Sequence, residues 1–104
     1  MRPEFFGTNA LLGAALFTLQ RDDAAYRVLA HARELNPRDA ETANLLFQEC
    51  MILSRKSFQS QDYARCLGYL RQAQALNPGD QDVRQRLAAV QKLAAPRAQG
   101  AGGK

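Results

Sequence analysis

A five-residue pattern that occurs twice constrains the fold of this chain more than any other feature. Leu35-Asn36-Pro37-Arg38-Asp39 recurs as Leu76-Asn77-Pro78-Gly79-Asp80, and each copy separates two segments whose apolar residues have helical spacing. Asparagine followed by proline ends a helix, and the aspartate two residues later suits the N-cap of the next one. A fainter copy, Arg2-Pro3-Glu4, stands 34 residues before Pro37, and Pro37 stands 41 residues before Pro78. Spacings of this size are typical of stacked helical repeats.

The distribution of charge argues against nucleic acid as a partner. The net charge of the 104-residue chain is +4, and Arg97 and Lys104 near the C-terminus contribute two of these charges. The rest of the chain alternates arginine with acidic residues and has no basic stripe. A protein that binds a phosphate backbone usually concentrates its positive charge on one face.

The residue types that carry chemistry do not form a catalytic or metal-binding pattern. Cys50 and Cys66 are the only thiols and His31 is the only histidine, so we expect no metal, no cofactor and no enzymatic activity. His31 is predicted to face solvent. Both thiols are predicted to be buried and free, with a disulfide as the alternative if their helices bring them face to face.

An apolar segment near the N-terminus could be mistaken for a signal peptide. Glu4 stands where a signal peptide needs positive charge, and no small-residue cleavage site follows before Arg21. The segment of residues 5–19 is also too short to span a bilayer, which takes about 20 residues. We therefore predict a core helix and no membrane partner. Nothing fixes the compartment, although these features favour the cytoplasm.

Apolar periodicity predicts five helices. Their expected ranges are residues 6–19, 24–35, 40–57, 62–76 and 80–95. Asp39 and Asp80 are the expected N-caps of the third and fifth helices, and Asp22 or Asp23 that of the second. Pro96 is expected to end the fifth helix, and residues 96–104, rich in glycine and alanine, are predicted to be a disordered tail.

This pattern resembles the tetratricopeptide repeat, a helix-turn-helix unit of about 34 residues with the consensus W-x2-L-G-x2-Y, A-x3-F, A-x4-P. The first unit, residues 6–39, has Leu12-Gly13 at the Leu-Gly pair and Asn9 in place of the tryptophan. The remaining matches in this unit are Leu16, Ala25, Leu29, Ala32 and Pro37.

The second unit, residues 40–79, matches the consensus in its second half. Asp62-Tyr63-Ala64-Arg65-Cys66 resembles the D-Y-E-x-A start of the second helix, and Leu70, Ala73 and Pro78 follow in register. The first half has seven extra residues. Because seven residues make about two helical turns, they can lengthen the third helix without rotating its buried face. A longer loop around residues 54–61 is the alternative.

A third unit provides only a first helix, residues 80–95, with Leu87-Ala88 at the Leu-Gly pair. Solenoid proteins commonly end in a polar helix of this kind. The resemblance, which covers roughly residues 3–95, implies an all-α helical-repeat solenoid. It would contain two antiparallel helix-turn-helix hairpins and a C-terminal capping helix in one domain, residues 1–95.

The resemblance also implies a binding groove, because the first helix of each unit lines a concave surface in this family. The positions carried over are Phe17 from the first helix, Glu41, Asn44, Gln48 and Met51 from the third, and Asp82 and Gln85 from the fifth, with Ala10, Ala14, Thr18 and Lys92 beside them. Members that clamp a terminal carboxylate use lysine and asparagine where this chain has Ala10 and Ala14. That clamp is therefore not expected here.

These features predict a non-catalytic protein-protein interaction module that binds a peptide or protein partner. The alternative is a purely structural segment that extends or caps a longer repeat array. Phe5, Phe6, Leu11 and Leu12 carry little charge around them, so we also expect an apolar N-terminal end. Such an end indicates either a preceding repeat in a longer protein or self-association.

Overall fold

The protein is all-helical in the part that the structure describes, which is the backbone of residues 3–102 and the side chains of residues 5–94. In this computed structural model five helices follow one another and no strand occurs within the described range. Their bounds are α1 Pro3–Thr18, α2 Asp22–Leu35, α3 Ala40–Gln59, α4 Tyr63–Leu76 and α5 Gln81–Gly102. The all-α prediction is confirmed, together with the order of the helices.

Aspartate side chains begin three of the helices. The Asp39 carboxylate accepts hydrogen bonds from the Thr42 backbone N–H at 2.9 Å and the Thr42 hydroxyl at 2.7 Å. Asp62 accepts from the Arg65 N–H at 3.2 Å, and Asp80 accepts from the Val83 N–H at 3.0 Å. Each carboxylate satisfies a donor that the first helical turn leaves unpaired. The predicted capping roles of Asp39 and Asp80 are confirmed.

The prediction that Asp22 or Asp23 caps α2 is wrong. The N-cap position of α2 is Arg21, which makes no capping hydrogen bond through its side chain, and both aspartates lie in the first turn. The Asp22 carboxylate is instead 2.8 Å from the Lys56 ammonium group on α3. Asp22, which the sequence predicted as a cap of α2, therefore forms an ion pair with α3 instead.

The seven extra residues of the second unit belong to a helix rather than a loop. α3 is continuous over 20 residues, whereas α1 has 16. Leu46 and Leu53, seven residues apart, are both buried on it. Because about two full turns separate them, they face the same side of the helix. The predicted lengthening of the third helix is confirmed.

Two predicted helix boundaries are wrong, and proline is involved in both. The first helix was expected to begin at residue 6, but α1 begins at Pro3. Its missing N–H costs nothing there, because the first turn leaves that donor unpaired. α5 continues past Pro96 to Gly102; the alanines around Pro96 are the best helix formers, which favours continuation. The predicted disorder of the tail stays a prediction, since the side chains of residues 95–104 lie outside the described part.

The backbone adopts the same arrangement twice, 41 residues apart. Gln20 has φ of 60° and Gln61 has φ of 62°, both in the left-handed region that non-glycine residues seldom adopt. The Arg21 N–H donates to the Leu16 carbonyl at 2.9 Å, and the Asp62 N–H donates to the Ser57 carbonyl at 2.9 Å. α2 and α4 both have 14 residues and start 41 positions apart. The turns before α2 and α4 are therefore equivalent.

Helices that are adjacent in sequence pack against each other, and α1 also touches α3. α1 and α2 approach each other closely at Gly13. A Cβ atom added to Gly13 would lie 2.6 Å from Leu29 Cδ2. The core contains small and branched side chains from α2 to α5, among them Ala25, Leu29, Leu46, Leu70, Val83 and Val90. α3 is thus in contact with three helices, α1, α2 and α4.

Side chains also connect α2 with α4. The Tyr26 hydroxyl donates a hydrogen bond to the Gln72 side-chain oxygen, and the Tyr26 and Tyr69 rings meet edge to face with centroids 5.3 Å apart. Edge-to-face pairs stabilise through the quadrupoles of the two rings. These contacts hold α2 against α4.

Candidate functional site

A line of side chains along α3 holds most of the residues that the sequence placed in a groove. Glu41, Asn44, Gln48 and Met51 are spaced by three or four residues, so they lie on one face of the helix. Glu41 and Asn44 are exposed, and Gln48 and Met51 are half-buried. We call this face the α3 stripe.

An acidic cleft lies between α1 and α3. Its volume is about 220 Å³, and its lining includes Ala10 and Ala14 from α1 and Asp39 and Glu41 from α3. Hydrogen bonds from the Thr42 side chain and N–H lower the pKa of Asp39, so its carboxylate remains ionised at neutral pH. The structure therefore brings the predicted alanines of the first helix next to Glu41 of the third.

Other predicted groove residues do not join this cleft. Phe17 is half-buried and packs against the core, and the Thr18 hydroxyl donates to the Ala14 carbonyl at 3.0 Å. Asn44 faces a separate depression that it shares with Phe47 and Leu76. On α5, Gln85 and Lys92 are exposed and Asp82 is paired with Arg86 at 3.0 Å. The predicted residues of α3 thus share one face of that helix, whereas Phe17 of α1 and the residues of α5 do not converge with them on one point.

A second cleft, which sequence reasoning missed, lies between α3 and α5. Its volume is about 190 Å³. The lining residues are Ser54, Arg55 and Phe58 of α3, Cys66 and Leu70 of α4, and Arg86, Ala89 and Val90 of α5. We call it the α3/α5 cavity. Nothing in the local sequence could reveal it, because the three helices that form it come from separate segments.

A buried carboxyl group between α2 and α3 was also missed. Glu49 has no exposed surface, and neither of its side-chain oxygens has a hydrogen-bond donor in range. Burial first, and then the neighbouring Asp22 carboxylate, raise the pKa of Glu49 to about 8. At neutral pH the group therefore carries a proton, beside the ion pair that Asp22 forms with Lys56.

The two thiols and the histidine are placed as predicted. Cys50 and Cys66 are buried and free, and His31 is exposed with its Nδ1 atom 3.7 Å from Glu34. Burial, reinforced by Glu49, raises the pKa of Cys50 to about 12, and burial also raises the pKa of Cys66. Both groups are therefore protonated thiols at neutral pH and poor nucleophiles.

The described residues contain neither a metal-binding cluster nor a helix that could span a membrane. No group of three or more histidine, cysteine, aspartate or glutamate side chains there is arranged to hold a metal ion. None of the helices, over the same residues, combines the length and the apolar character needed to cross a membrane.

The chain matches no protein-family model, and neither the curated proteins nor the solved structures contain a significant match to it.

Proposed function

We propose that this chain is a non-catalytic interaction module of the tetratricopeptide-repeat type, which binds a peptide or protein partner. In this proposal α1 with α2, and α3 with α4, form antiparallel hairpins, and α5 caps the array. The equivalent turns at Gln20 and Gln61 support a repeated unit. So does the position of Ser54, which is buried 41 residues after the buried Gly13.

The observation that carries the proposal is the pair of clefts that flank α3. Each cleft lies between helices two apart in sequence, α1 with α3 and α3 with α5. The α3 stripe between them offers the amide groups of Asn44 and Gln48 and the flexible thioether of Met51. Amides can donate to and accept from the backbone of an extended peptide. The arrangement can therefore hold a chain segment without any catalytic group.

A selection experiment tests this proposal. The intact chain is immobilised and used to select from a random dodecapeptide display library. Replacing both Asn44 and Gln48 with alanine should weaken the binding of the selected peptides by at least about tenfold, a loss of about 1.4 kcal/mol. The reason is that two amide groups, each able to donate and to accept a hydrogen bond, are removed. The measurement is fluorescence anisotropy with a synthetic labelled peptide.

The control replaces Arg27 and Glu34 with alanine, since both are exposed on α2. This pair should leave binding within about twofold of the unmodified chain, because surface changes away from a site have small effects. Failure to select any peptide, or equal losses in the two double variants, would contradict the proposed function.

A second role, in assembly, is favoured by an apolar face of α1. Phe5, Leu12 and Leu19 recur every seven residues and are 53%, 47% and 66% exposed. The packing of α2 and α3 on α1 leaves these three side chains uncovered. Residues 5–20 contain no charged side chain. We propose that a second copy of the chain covers this face, since an uncharged surface can pack against itself under twofold symmetry.

The self-association is expected to disappear when charge is placed on this face. Sedimentation velocity at about 100 μM, well above the roughly micromolar range of modest interfaces, should show a dimer for the unmodified chain. Phe5→Glu with Leu12→Glu should give a monomer, because buried carboxylates would repel across the interface. Leu93→Glu is the matched control, since Leu93 is exposed on α5. A monomeric unmodified chain would refute the assembly role.

A further inference from the structure

The α3/α5 cavity is open because its lining side chains are too small to fill it. Ser54, Cys66 and Ala89 contribute little volume on three different helices. Among the described residues α3 and α5 make no direct helix contact, and α4 packs against both. The floor is therefore made by Cys66 and Leu70 of α4, while α3 and α5 form the two walls.

The size and character of the cavity suit one apolar side chain. An engineered apolar cavity of about 150 Å³ holds a benzene molecule, and the α3/α5 cavity measures about 190 Å³. Phe58, Leu70, Ala89 and Val90 line it with carbon. A branched aliphatic side chain or a single aromatic ring would be desolvated there, which is the usual basis of an anchor residue.

Two arginines give the cavity a preference for acidic neighbours. Arg55 is exposed and has no ion pair or hydrogen-bond partner among the described residues, and Arg86 has only Asp82 at 3.0 Å. Both arginines line the cavity. A guanidinium group binds carboxylates through two parallel hydrogen bonds. An anchor flanked by aspartate or glutamate would therefore gain two such partners.

The opposite cleft has the opposite charge. Asp39 and Glu41 line the cleft between α1 and α3, and Arg55 lies fourteen residues after Glu41 on the same helix. Fourteen residues of helix rise about 21 Å, which an extended peptide covers with about six residues. A peptide that lies along the α3 stripe would thus have arginine side chains near one of its ends and carboxylates near the other.

We propose that the α3/α5 cavity is the anchor subsite of the groove, and that it takes a large apolar residue flanked by acidic residues. A basic residue about six positions away along the peptide occupies the cleft beside Glu41. This inference rests on the proposed function, because it specifies the chemistry of the peptide that the α3 stripe would hold. The charges fix the direction in which that peptide lies.

Synthetic peptides test the inference directly. The probe is a fluorescein-labelled peptide of about ten residues with leucine between two glutamates and a lysine about six positions away. One comparison peptide has alanine for the leucine, and another has lysines for the glutamates. Anisotropy with the intact chain should show each comparison peptide binding at least about tenfold more weakly. Raising the salt concentration should weaken the binding of the probe, because salt screens the exposed charge pairs between its glutamates and the two arginines.

Matched variants locate the binding. Ala89→Leu should fill the cavity and weaken the binding of the probe by about tenfold or more. Ala88 is exposed and does not line the cavity, so Ala88→Leu should change the affinity by less than about twofold. Arg55→Gln with Arg86→Gln should remove the preference for glutamate, while Arg84→Gln should keep it. Circular dichroism checks that every variant remains helical.

The failures of the two proposals are distinguishable. If the display library yields binders that depend on Asn44 and Gln48 but are indifferent to Ala89→Leu and lack acidic residues, the anchor subsite is wrong and the proposed function stands. If neither the library nor the probe binds, both are overturned. Binding of the probe that both Ala88→Leu and Ala89→Leu weaken equally would also overturn the anchor subsite.

Discussion

Glu49→Leu is expected to stabilise the protein, although it removes an acidic residue that the sequence places in the middle of α3. Glu49 is completely buried and has no hydrogen-bond donor for either side-chain oxygen. Burying a carboxyl group without donors costs about 1–3 kcal/mol, and only in its protonated form can Glu49 donate a hydrogen bond to the Asp22 carboxylate beside it. The equivalent position 41 residues later is the buried Val90, so an apolar side chain suits this place in the fold. Asp22 keeps its partner Lys56 in the variant.

The stability that Glu49→Leu adds should depend on pH, and the raised pKa of Glu49 determines the direction of this dependence. The pKa of Glu49 is about 8 in the folded protein against 4.5 for the free side chain. Between these values the folded state keeps a proton that the unfolded state has released. The free energy of unfolding of the unmodified chain therefore falls as pH rises from 4.5 to about 8. Glu49→Leu removes this fall, so its advantage grows across that window.

Urea denaturation at about pH 5 and about pH 8 measures both effects. The upper value stays below the region where the buried thiols begin to contribute, since a free cysteine has a pKa of 9.0. Glu41→Leu is the matched control, because Glu41 is an exposed glutamate on the same helix. It should change stability by no more than about 0.5 kcal/mol. A Glu49→Leu variant less stable than the unmodified chain at the higher pH would show that Glu49 has a stabilising partner.

Gly13→Ala is expected to destabilise the protein, even though alanine is the better helix former. The added Cβ atom would lie 2.6 Å from Leu29 Cδ2 and 2.8 Å from Leu29 Cγ. Leu29 is completely buried in the core and has little room to move aside. Overpacking of this kind costs about 1–3 kcal/mol, against a propensity gain of about 1 kcal/mol. Thermal unfolding should show a lower Tm.

Gly68→Ala provides the matched control, because Gly68 lies within α4 and nothing lies within 4 Å of its added Cβ atom. The same chemical change should there stabilise by about 0.5–1 kcal/mol. Leu29→Val, which removes a methylene group, should lose less stability in the Gly13→Ala background than in the unmodified chain. A Gly13→Ala variant that is at least as stable as Gly68→Ala would refute the close approach of α1 and α2.

Several predictions that agree with the structure rest on short-range signals. Asp39 caps α3 because its carboxylate needs only to reach the N–H three residues later. Leu35 and Leu76 are the last residues of α2 and α4 because the following Asn-Pro disfavours further helix. The lengthening of α3 follows from counting turns. In each case the deciding atoms lie within a few residues of one another.

The sequence did not predict features that depend on a second helix. Asp22 is a residue type that suits a cap, yet it lies in the first turn of α2, and Lys56, 34 residues away, binds its carboxylate. Glutamate is common on exposed helix faces, so the sequence gives no sign that Glu49 is buried. It is buried where α2 packs on α3. Leu19, just after the end of α1, continues the apolar pattern of that helix, but no described helix covers it.

The candidate site divides in the same way. The sequence by itself placed Glu41, Asn44, Gln48 and Met51 on one face of α3, because helical periodicity fixes which residues share a face. Only the tertiary structure decided that small residues of α3, α4 and α5 leave the α3/α5 cavity empty, and that Arg55 and Arg86 stand at its edge. A cavity is the space that several helices fail to fill, so it has no counterpart in the sequence of any one of them.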